Sequence, residues 1–156
     1  MDYFQEIEHF FNGTCDFGRR VTCLITRNGP YVARIWARIV FPAIAPYCWN
    51  PDFLFKIIES IELDMGGKRI MTISPWTQLL EDSIQGGGEI SSLCPTEDAL
   101  ENFSKKEQCI ILPLYLNFPL FPTKLEYHDI KLHAKIARLE EISNVPVGAE
   151  AVPIGV

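Results

Sequence analysis

Six segments of the chain are predicted as β-strands, most of them because hydrophobic and polar residues alternate with a period of two. The six segments are residues 21–27, 32–41, 53–65, 68–73, 108–116 and 127–139. In the first segment, Val21, Cys23 and Ile25 share one face, which we expect to be buried. The residues that the same alternation turns inward in the second and last segments are Ile35, Ala37, Ile39, Phe41, Ile130, Leu132, Ala134 and Ile136. A further strand is weakly favoured over a helix in residues 3–11.

Glycine, proline and asparagine mark the turns between these segments. Asn28-Gly29 and Gly66-Gly67 predict hairpin turns, because both pairs accept positive φ readily. Pro30 restricts the backbone of Gly29, which favours a wider turn over a tight two-residue one at Asn28-Gly29. Ser74-Pro75 predicts the start of a helix, since serine accepts hydrogen bonds from free N–H groups and proline suits the first helical position. The apolar residues at helical spacing that follow are Trp76, Leu79, Leu80 and Ile84, and Gly86-Gly87-Gly88 ends the helix. Residues 86–107 are predicted as a long polar loop with one helical turn near residues 96–103.

The order of elements indicates an all-β fold, an antiparallel sandwich with one short helix after the double-glycine hairpin. No helix separates each pair of strands, which excludes parallel α/β designs. The domain is predicted to span residues 1–142, with a loose tail over residues 143–156. The apolar residues of segment 108–116 fall on both faces, which predicts cover on both sides by another layer or another subunit.

Composition argues against several classes of function and site. The 156 residues carry a net charge of -6, whereas nucleic-acid binding generally uses a basic face. None of the five cysteines forms a C-x-x-C pair, and they are predicted to be reduced thiols. The acidic N-terminus lacks the basic start of a signal peptide, and no apolar stretch is long enough for a membrane helix. The sequence therefore predicts no cofactor, no metal and no membrane span.

Aromatic and basic side chains share the outward face of the second strand. Arg34, Trp36 and Arg38 alternate with its inward residues, and Ile111 and Tyr115 form the second face of segment 108–116. Tryptophan and arginine are enriched at protein interfaces, so these five residues are the predicted subunit interface. A stacking surface for single-stranded nucleic acid is the alternative for the arginines and the tryptophan.

Other residues that could form a reactive site are predicted to have structural roles. Glu59, Glu62 and Asp64 suggest a carboxylate site, but alternation predicts that Glu62 and Asp64 lie on the solvent face of a strand. His128 and His133 are five residues apart on a predicted strand, so they point to opposite faces and do not form a metal pair.

Several motifs occur in a fixed order along the chain. They are Asn12-Gly13, Asp16-Phe17-Gly18-Arg19-Arg20-Val21-Thr22-Cys23, Thr26-Arg27-Asn28-Gly29, Glu62-Leu63-Asp64-Met65-Gly66-Gly67-Lys68-Arg69-Ile70, Leu112-Pro113-Leu114-Tyr115-Leu116 and Leu125-Glu126-Tyr127-His128-Asp129-Ile130-Lys131-Leu132. As an ordered set over roughly residues 7–137, they resemble the N-terminal jelly roll of the major capsid proteins of large eukaryotic nucleocytoplasmic double-stranded DNA viruses.

The resemblance implies a jelly-roll sandwich that serves as a structural component of an icosahedral viral capsid and carries out no catalysis. Its implied partners are itself and other capsid proteins, in a trimeric capsomer or a pentameric vertex. Its implied location is the virion, after assembly in the host cytoplasm. Members of that family carry two jelly rolls and this sequence has room for one, so a truncated paralogue, a gene fragment and a minor capsid protein all remain open.

Jelly rolls also host other functions, so fold alone does not decide the function. A carbohydrate-binding module is the main alternative, although Trp36, Trp49 and Trp76 lie on three different predicted elements rather than on one concave face. A metal-dependent jelly-roll enzyme requires clustered histidines, and the chain has only three.

Overall fold

The computed structural model describes residues 5–26, 31–84, 87–115, 121–122 and 129–147. Within these ranges, the chain forms eight strands and five short helices. The strands are β1 (Arg20–Ile25), β2 (Tyr31–Val32), β3 (Ile35–Phe41), β4 (Ile58–Met65), β5 (Lys68–Ile73), β6 (Gln108–Leu114), β7 (Phe121–Pro122) and β8 (Ile130–Ile136). The helices are α1 (Phe53–Lys56), α2 (Pro75–Ile84), α3 (Glu89–Leu93), α4 (Glu97–Ser104) and α5 (Leu139–Ile142).

All strand pairs that the structure describes are antiparallel. One sheet has four strands in the order β1-β8-β4-β5, and two smaller sheets pair β3 with β6 and β2 with β7. Apart from β4 and β5, which form a hairpin, neighbours in these sheets are distant in sequence, as in the pairing of Val21 with Ala134. The all-β class is therefore confirmed, and most of its strand pairs join segments that are far apart in the sequence.

The hydrophobic core has two parts. The first lies under the four-stranded sheet, whose inward residues pack against Val32, Ile35 and Leu114 of the other strands. This contact between sheets is the sandwich that alternation predicts. The inward residues of β1, β3 and β8 are buried as expected, except that Ile35 is half-buried.

The second part of the core lies between the β3–β6 sheet and the short helices. Phe41, Trp49 and Phe53 are almost fully buried there, with ring centroids 5.2 to 5.4 Å apart. Trp49 and Phe53 stack, whereas Phe41 meets both rings edge-on. Each aromatic pair of this kind contributes about 0.5–1.5 kcal/mol beyond the burial of its surface.

Residues 53–57 were predicted as part of a strand, and that prediction is wrong. Phe53–Lys56 form α1, and its single turn is closed by a hydrogen bond from the N–H of Ile57, the residue after the helix, to the Phe53 carbonyl at 2.8 Å. A helical turn brings Phe53, Leu54 and Ile57 to the core together, whereas a strand would turn Leu54 away. The strand β4 begins only at Ile58.

The other differences between the predicted and the observed elements are confined to short segments. Residues 5–11 form no strand, and the predicted strand 32–41 is interrupted at Ala33 and Arg34 between β2 and β3. The loop at residues 86–107 contains α3 and α4 in its described part, because Ile90 and Leu100 insert into the core. The single-helix description is therefore too simple, although the helical turn near residues 96–103 is confirmed by α4.

The turn predictions have mixed outcomes. Gly66 and Gly67 have φ values of 62° and 81°, so the double-glycine hairpin between β4 and β5 is confirmed. Asn28-Gly29 and His128 lie outside the described residues. The tail predicted from residue 143 is described as far as Val147, and in that part Ser143 and Val145 are buried.

The helix predicted at Ser74-Pro75 is confirmed as α2, and the Ser74 hydroxyl accepts a hydrogen bond from the Thr77 N–H at 3.4 Å. Its orientation differs from that of an ordinary amphipathic helix. The apolar residues Trp76, Leu80 and Ile84 are 79%, 60% and 70% exposed, whereas Gln78 and Asp82 are buried. The apolar side of a surface helix usually packs inward, whereas in α2 the side that carries Gln78 and Asp82 does so.

Candidate subunit-contact surface

The outer face of the β3–β6 sheet carries three of the five predicted interface residues, and a fourth, Arg34, lies directly before β3. Trp36 is 48% exposed and Ile111 is 56% exposed, and Arg34 and Arg38 are exposed beside them. The antiparallel register pairs Arg38 with Ile111 across the two strands. Their side chains therefore form one surface, which we call the Trp36 face and define as Arg34, Trp36, Arg38 and Ile111.

Nothing in the described part of the chain covers Ile111, although β6 was expected to be covered on both sides. Ile110 and Leu114 pack against the core on the inner side, and Leu112 is buried there. On the outer side Cys109 and Ile111 are exposed. The described residues therefore do not provide the second cover that the sequence predicted for β6.

Charge on the Trp36 face is only partly neutralised. Arg38 forms an ion pair with Glu8 of the N-terminal segment, and both side chains are more than half exposed. Exposed ion pairs contribute about 0–1 kcal/mol and exchange readily with other partners. The arginines consequently remain suited to contacts with an acidic partner.

Tyr115, the fifth predicted interface residue, lies in a different environment. It follows the end of β6, packs against the core cluster, and donates a hydrogen bond from its hydroxyl to Asp82 Oδ1 at 3.0 Å. The hydrogen-bonding capacity of its hydroxyl is therefore engaged within the chain. The structure brings Arg34, Trp36, Arg38 and Ile111 together, but it joins Tyr115 to α2.

Gln78 fastens α2 to the end of β6. Its side-chain amide donates to the Tyr115 carbonyl at 2.7 Å and accepts from the Tyr115 N–H at 3.0 Å. The amide thus takes the place of a neighbouring strand at the point where β6 ends. One turn further along α2, Asp82 faces the same side of the helix.

Asp82 is fully buried and accepts four hydrogen bonds. They come from the backbone N–H groups of Ile90 and Ser91 and from the hydroxyls of Ser91 and Tyr115, at 2.8 to 3.1 Å. Burial alone would raise the pKa of Asp82, but these four donors together hold its pKa below the ordinary value. Burial and the charge on Asp82 raise the pKa of Tyr115, which keeps the phenol protonated.

Gln78 and Asp82 are therefore hydrogen-bonded on the inner side of α2, whereas Glu81 Oε2 is buried without a hydrogen-bond partner among the described residues. The apolar side of the helix faces outward. We call Trp76, Leu80 and Ile84 the α2 stripe. They occupy positions i, i+4 and i+8, so they form one continuous row along the helix. The sequence placed these residues on one side of the helix, but a helical period does not reveal whether that side faces the core.

The outer face of the four-stranded sheet is charged rather than apolar. Glu62 lies between Arg20 and Arg69, with 3.2 Å between Glu62 Oε2 and Arg69 Nη2. Thr22 Oγ1 and His133 Nδ1 are 2.7 Å apart and form a hydrogen bond. Glu62, which the sequence suggested as part of a carboxylate site, is therefore neutralised by arginines.

Other kinds of site find little support in the described residues. No group of three or more His, Cys, Asp or Glu side chains there is placed to hold a metal ion. Trp49 is buried in the core, so it does not contribute to an aromatic platform for a sugar. None of the helices in these ranges combines the length and the apolar character that a membrane span requires.

Comparison with known proteins gives consistent matches. A family model that describes the N-terminus of major capsid proteins matches residues 3–154. The major capsid protein of Phaeocystis pouchetii virus is 28% identical over an alignment that covers 88% of this chain and 35% of the relative. Capsid protein 1 of Acanthamoeba polyphaga mimivirus is 26% identical, with 88% of this chain and 29% of the relative covered.

Solved structures agree on the fold. PBCV-1 VP54, in a crystal structure fitted into a cryo-EM reconstruction of the virophage Sputnik, superimposes with a TM-score of 0.74 at 19% identity. The match covers 99% of this chain and 42% of VP54. The chain thus spans about a third of the length of the viral capsid proteins it matches in sequence. The family match covers nearly the whole sequence, and the chain belongs to the family of viral major capsid proteins, within their N-terminal region.

Proposed function

We propose that this chain is a structural component of an icosahedral viral capsid, and that it acts by assembling with capsid subunits rather than by catalysis. The observation that carries the proposal is the uncovered Trp36 face on a domain of the major capsid family. Trp36 and Ile111 expose apolar surface beside two arginines, which is the composition of a protein interface. The proposed partners are copies of this chain or other capsid proteins.

The proposed location is the capsid of the virion, after assembly in the host cytoplasm. Capsid shells multiply weak contacts by symmetry, so no single contact needs high affinity. A trimeric capsomer and a pentameric vertex are the two assemblies proposed to bring a neighbouring subunit against this face. The Trp36 face is proposed as the part of the domain that a neighbouring subunit covers, with Tyr115 supporting the same edge from within the chain.

Co-assembly with a capsid protein tests the proposal directly. The chain is co-expressed with the full-length major capsid protein of the same virus, and assemblies are separated by sedimentation in a density gradient. We expect the wild-type chain to sediment with the assemblies. A Trp36→Glu variant should remain near the top of the gradient, because it places a charge at the centre of the proposed contact.

The matched control is Leu24→Glu, which alters an exposed apolar residue on the other sheet. It should sediment with the assemblies as the wild type does. A wild-type chain that never enters the assemblies refutes the proposed function, and equal behaviour of the two variants refutes the role of the Trp36 face.

A further inference from the structure

The α2 stripe is unusual because the helix that carries it is held with its polar side inward. Gln78 and Asp82 fix this orientation through hydrogen bonds to Tyr115, Ile90 and Ser91. A rotation of α2 that buried the stripe would break all of these bonds and leave the partner groups of Tyr115, Ile90 and Ser91 without their hydrogen bonds. The exposure of the stripe is therefore built into the fold.

The segment of the chain that carries the stripe has charge of one sign. Residues 70–104, which include α2, α3 and α4, contain six Asp and Glu residues and no Lys, Arg or His. Among the exposed residues of this segment are Glu89, Glu97, Asp98 and Glu101. The stripe thus lies in an acidic helical segment, which would favour a partner that is both apolar and basic.

The Trp36 face has the complementary character, since it combines a tryptophan and an isoleucine with two arginines. It also lies near α2 in the same molecule. Trp36 pairs with Pro113 across the sheet, and Gln78 of α2 hydrogen-bonds to Tyr115, two residues further along. Two adjacent patches of opposite charge are the arrangement that allows reciprocal contact between two copies of one chain.

We propose, resting on the proposed function, that the α2 stripe of one copy docks on the Trp36 face of a neighbouring copy. Trp76, Leu80 and Ile84 supply the apolar part of the contact on one side, and Trp36 and Ile111 supply it on the other. The acidic helical segment lies opposite Arg34 and Arg38. The contact assigns a partner to both apolar surfaces that the described residues leave uncovered.

A lipid surface fits the stripe less well. Helices that lie on membranes usually carry Lys or Arg on the polar face, which bind anionic headgroups. The polar side of α2 carries Gln78, Glu81 and Asp82, and Gln78 and Asp82 are buried. Negative charge on both the helix and the headgroups would oppose binding, so a basic protein surface is the better partner.

Self-association of the purified chain tests the contact, with sedimentation equilibrium over a range of concentrations as the measurement. Leu80→Lys should weaken association roughly 10- to 100-fold, because it places a cation at the centre of a stripe that faces arginines. Lysine is a good helix former, so α2 should remain folded, which circular dichroism and thermal unfolding check. Ile70→Lys is the matched control, since Ile70 is exposed on β5, and it should associate as the wild type does.

A complementation experiment identifies the two surfaces as partners. Leu80→Lys disables the stripe and leaves the Trp36 face intact, whereas Trp36→Glu disables the face and leaves the stripe intact. Each variant alone should be monomeric, and an equal mixture should form a dimer of one copy of each. No dimer in the mixture overturns the proposed pairing, even if each variant alone is weakened.

The proposed contact between copies can be refuted without refuting the proposed capsid function. A wild-type chain that remains monomeric at high concentration overturns the inference, and so does a Leu80→Lys variant that associates normally. If such a chain still sediments with capsid assemblies, the structural role stands and only the contact between copies is refuted.

Discussion

Replacement of Asp82 by asparagine tests whether the buried polar network holds α2 in its inverted orientation. Oδ1 of Asp82 accepts from the Ile90 N–H at 2.8 Å and from the Tyr115 hydroxyl at 3.0 Å. Oδ2 accepts from the Ser91 N–H at 3.1 Å and from the Ser91 hydroxyl at 3.0 Å. Asn is nearly isosteric with Asp, but it offers only one acceptor oxygen and carries no charge.

The expected loss follows from these contacts. If the amide oxygen takes the place of Oδ1, the NH₂ group faces the Ser91 N–H, and a buried donor is left without an acceptor. An orphaned donor of this kind costs about 1–3 kcal/mol, and the two remaining bonds lose the extra strength that the charge supplies. We therefore expect Asp82→Asn to lower the free energy of unfolding by about 2–4 kcal/mol at pH 7. Against a total of about 5–15 kcal/mol, this loss is easily measured.

The loss should depend on pH in a defined direction. The pKa of Asp82 in the folded chain lies below its ordinary value of 3.8, so the folded state favours the charged carboxylate. Its stabilising contribution is complete above the unfolded pKa and disappears as the pH falls through the lower, folded pKa. The difference between wild type and Asp82→Asn should hence be constant from pH 7 to about pH 5 and should narrow below about pH 4.

Urea unfolding followed by far-UV circular dichroism, at several values between pH 3 and pH 7, measures this difference. Asp98→Asn is the matched control, because Asp98 is exposed in the first turn of α4, and its loss should stay within about 0.5 kcal/mol. The reasoning is refuted if the two variants lose the same stability at pH 7. A loss that does not change between pH 5 and pH 3 would contradict the assignment of a charged Asp82.

Three further expectations follow from the core, a turn and the cysteines. Phe53→Ala should lower the free energy of unfolding, measured in urea, by about 3–5 kcal/mol, because Phe53 is fully buried against three aromatic rings. Phe10 is exposed, so Phe10→Ala should change this free energy little. Gly67→Ala should cost about 1–2 kcal/mol in the same assay, since its φ of 81° disfavours any residue with a Cβ, and no loss would contradict the hairpin geometry. Iodoacetamide at pH 8 should modify the exposed Cys109 well before Cys94, because burial and nearby carboxylates raise the pKa of Cys94 to about 11. Peptide mass spectrometry measures the two rates, and equal rates would refute this order.

The strands and the double-glycine hairpin followed from the sequence for local reasons. A period of two in β1, β3 and β8 identified their buried faces, because successive strand residues point to opposite sides wherever the strand lies. Gly66-Gly67 identified its turn because glycine accepts positive φ at little energetic cost. The order of motifs further indicated the capsid family, which the match over residues 3–154 confirms.

Residues 53–57 show where local pattern is insufficient. Phe53, Phe55 and Ile57 alternate as strand residues do, yet one helical turn buries Phe53, Leu54 and Ile57 together. The choice between the two depends on the total apolar surface buried against distant residues such as Phe41 and Trp49. That sum involves non-local contacts, which a short window of sequence does not contain.

The sequence by itself determined that this protein is an all-β domain of the capsid family and that the Trp36 face alternates outward. Only the tertiary structure decided the side on which α2 faces the core. The apolar row and the polar row of α2 are both evident in the sequence. The row that faces the core is the one whose side chains have packing or hydrogen-bonding partners there. Here Tyr115, Ile90 and Ser91 supply donors and acceptors for Gln78 and Asp82, and the stripe is consequently presented outward.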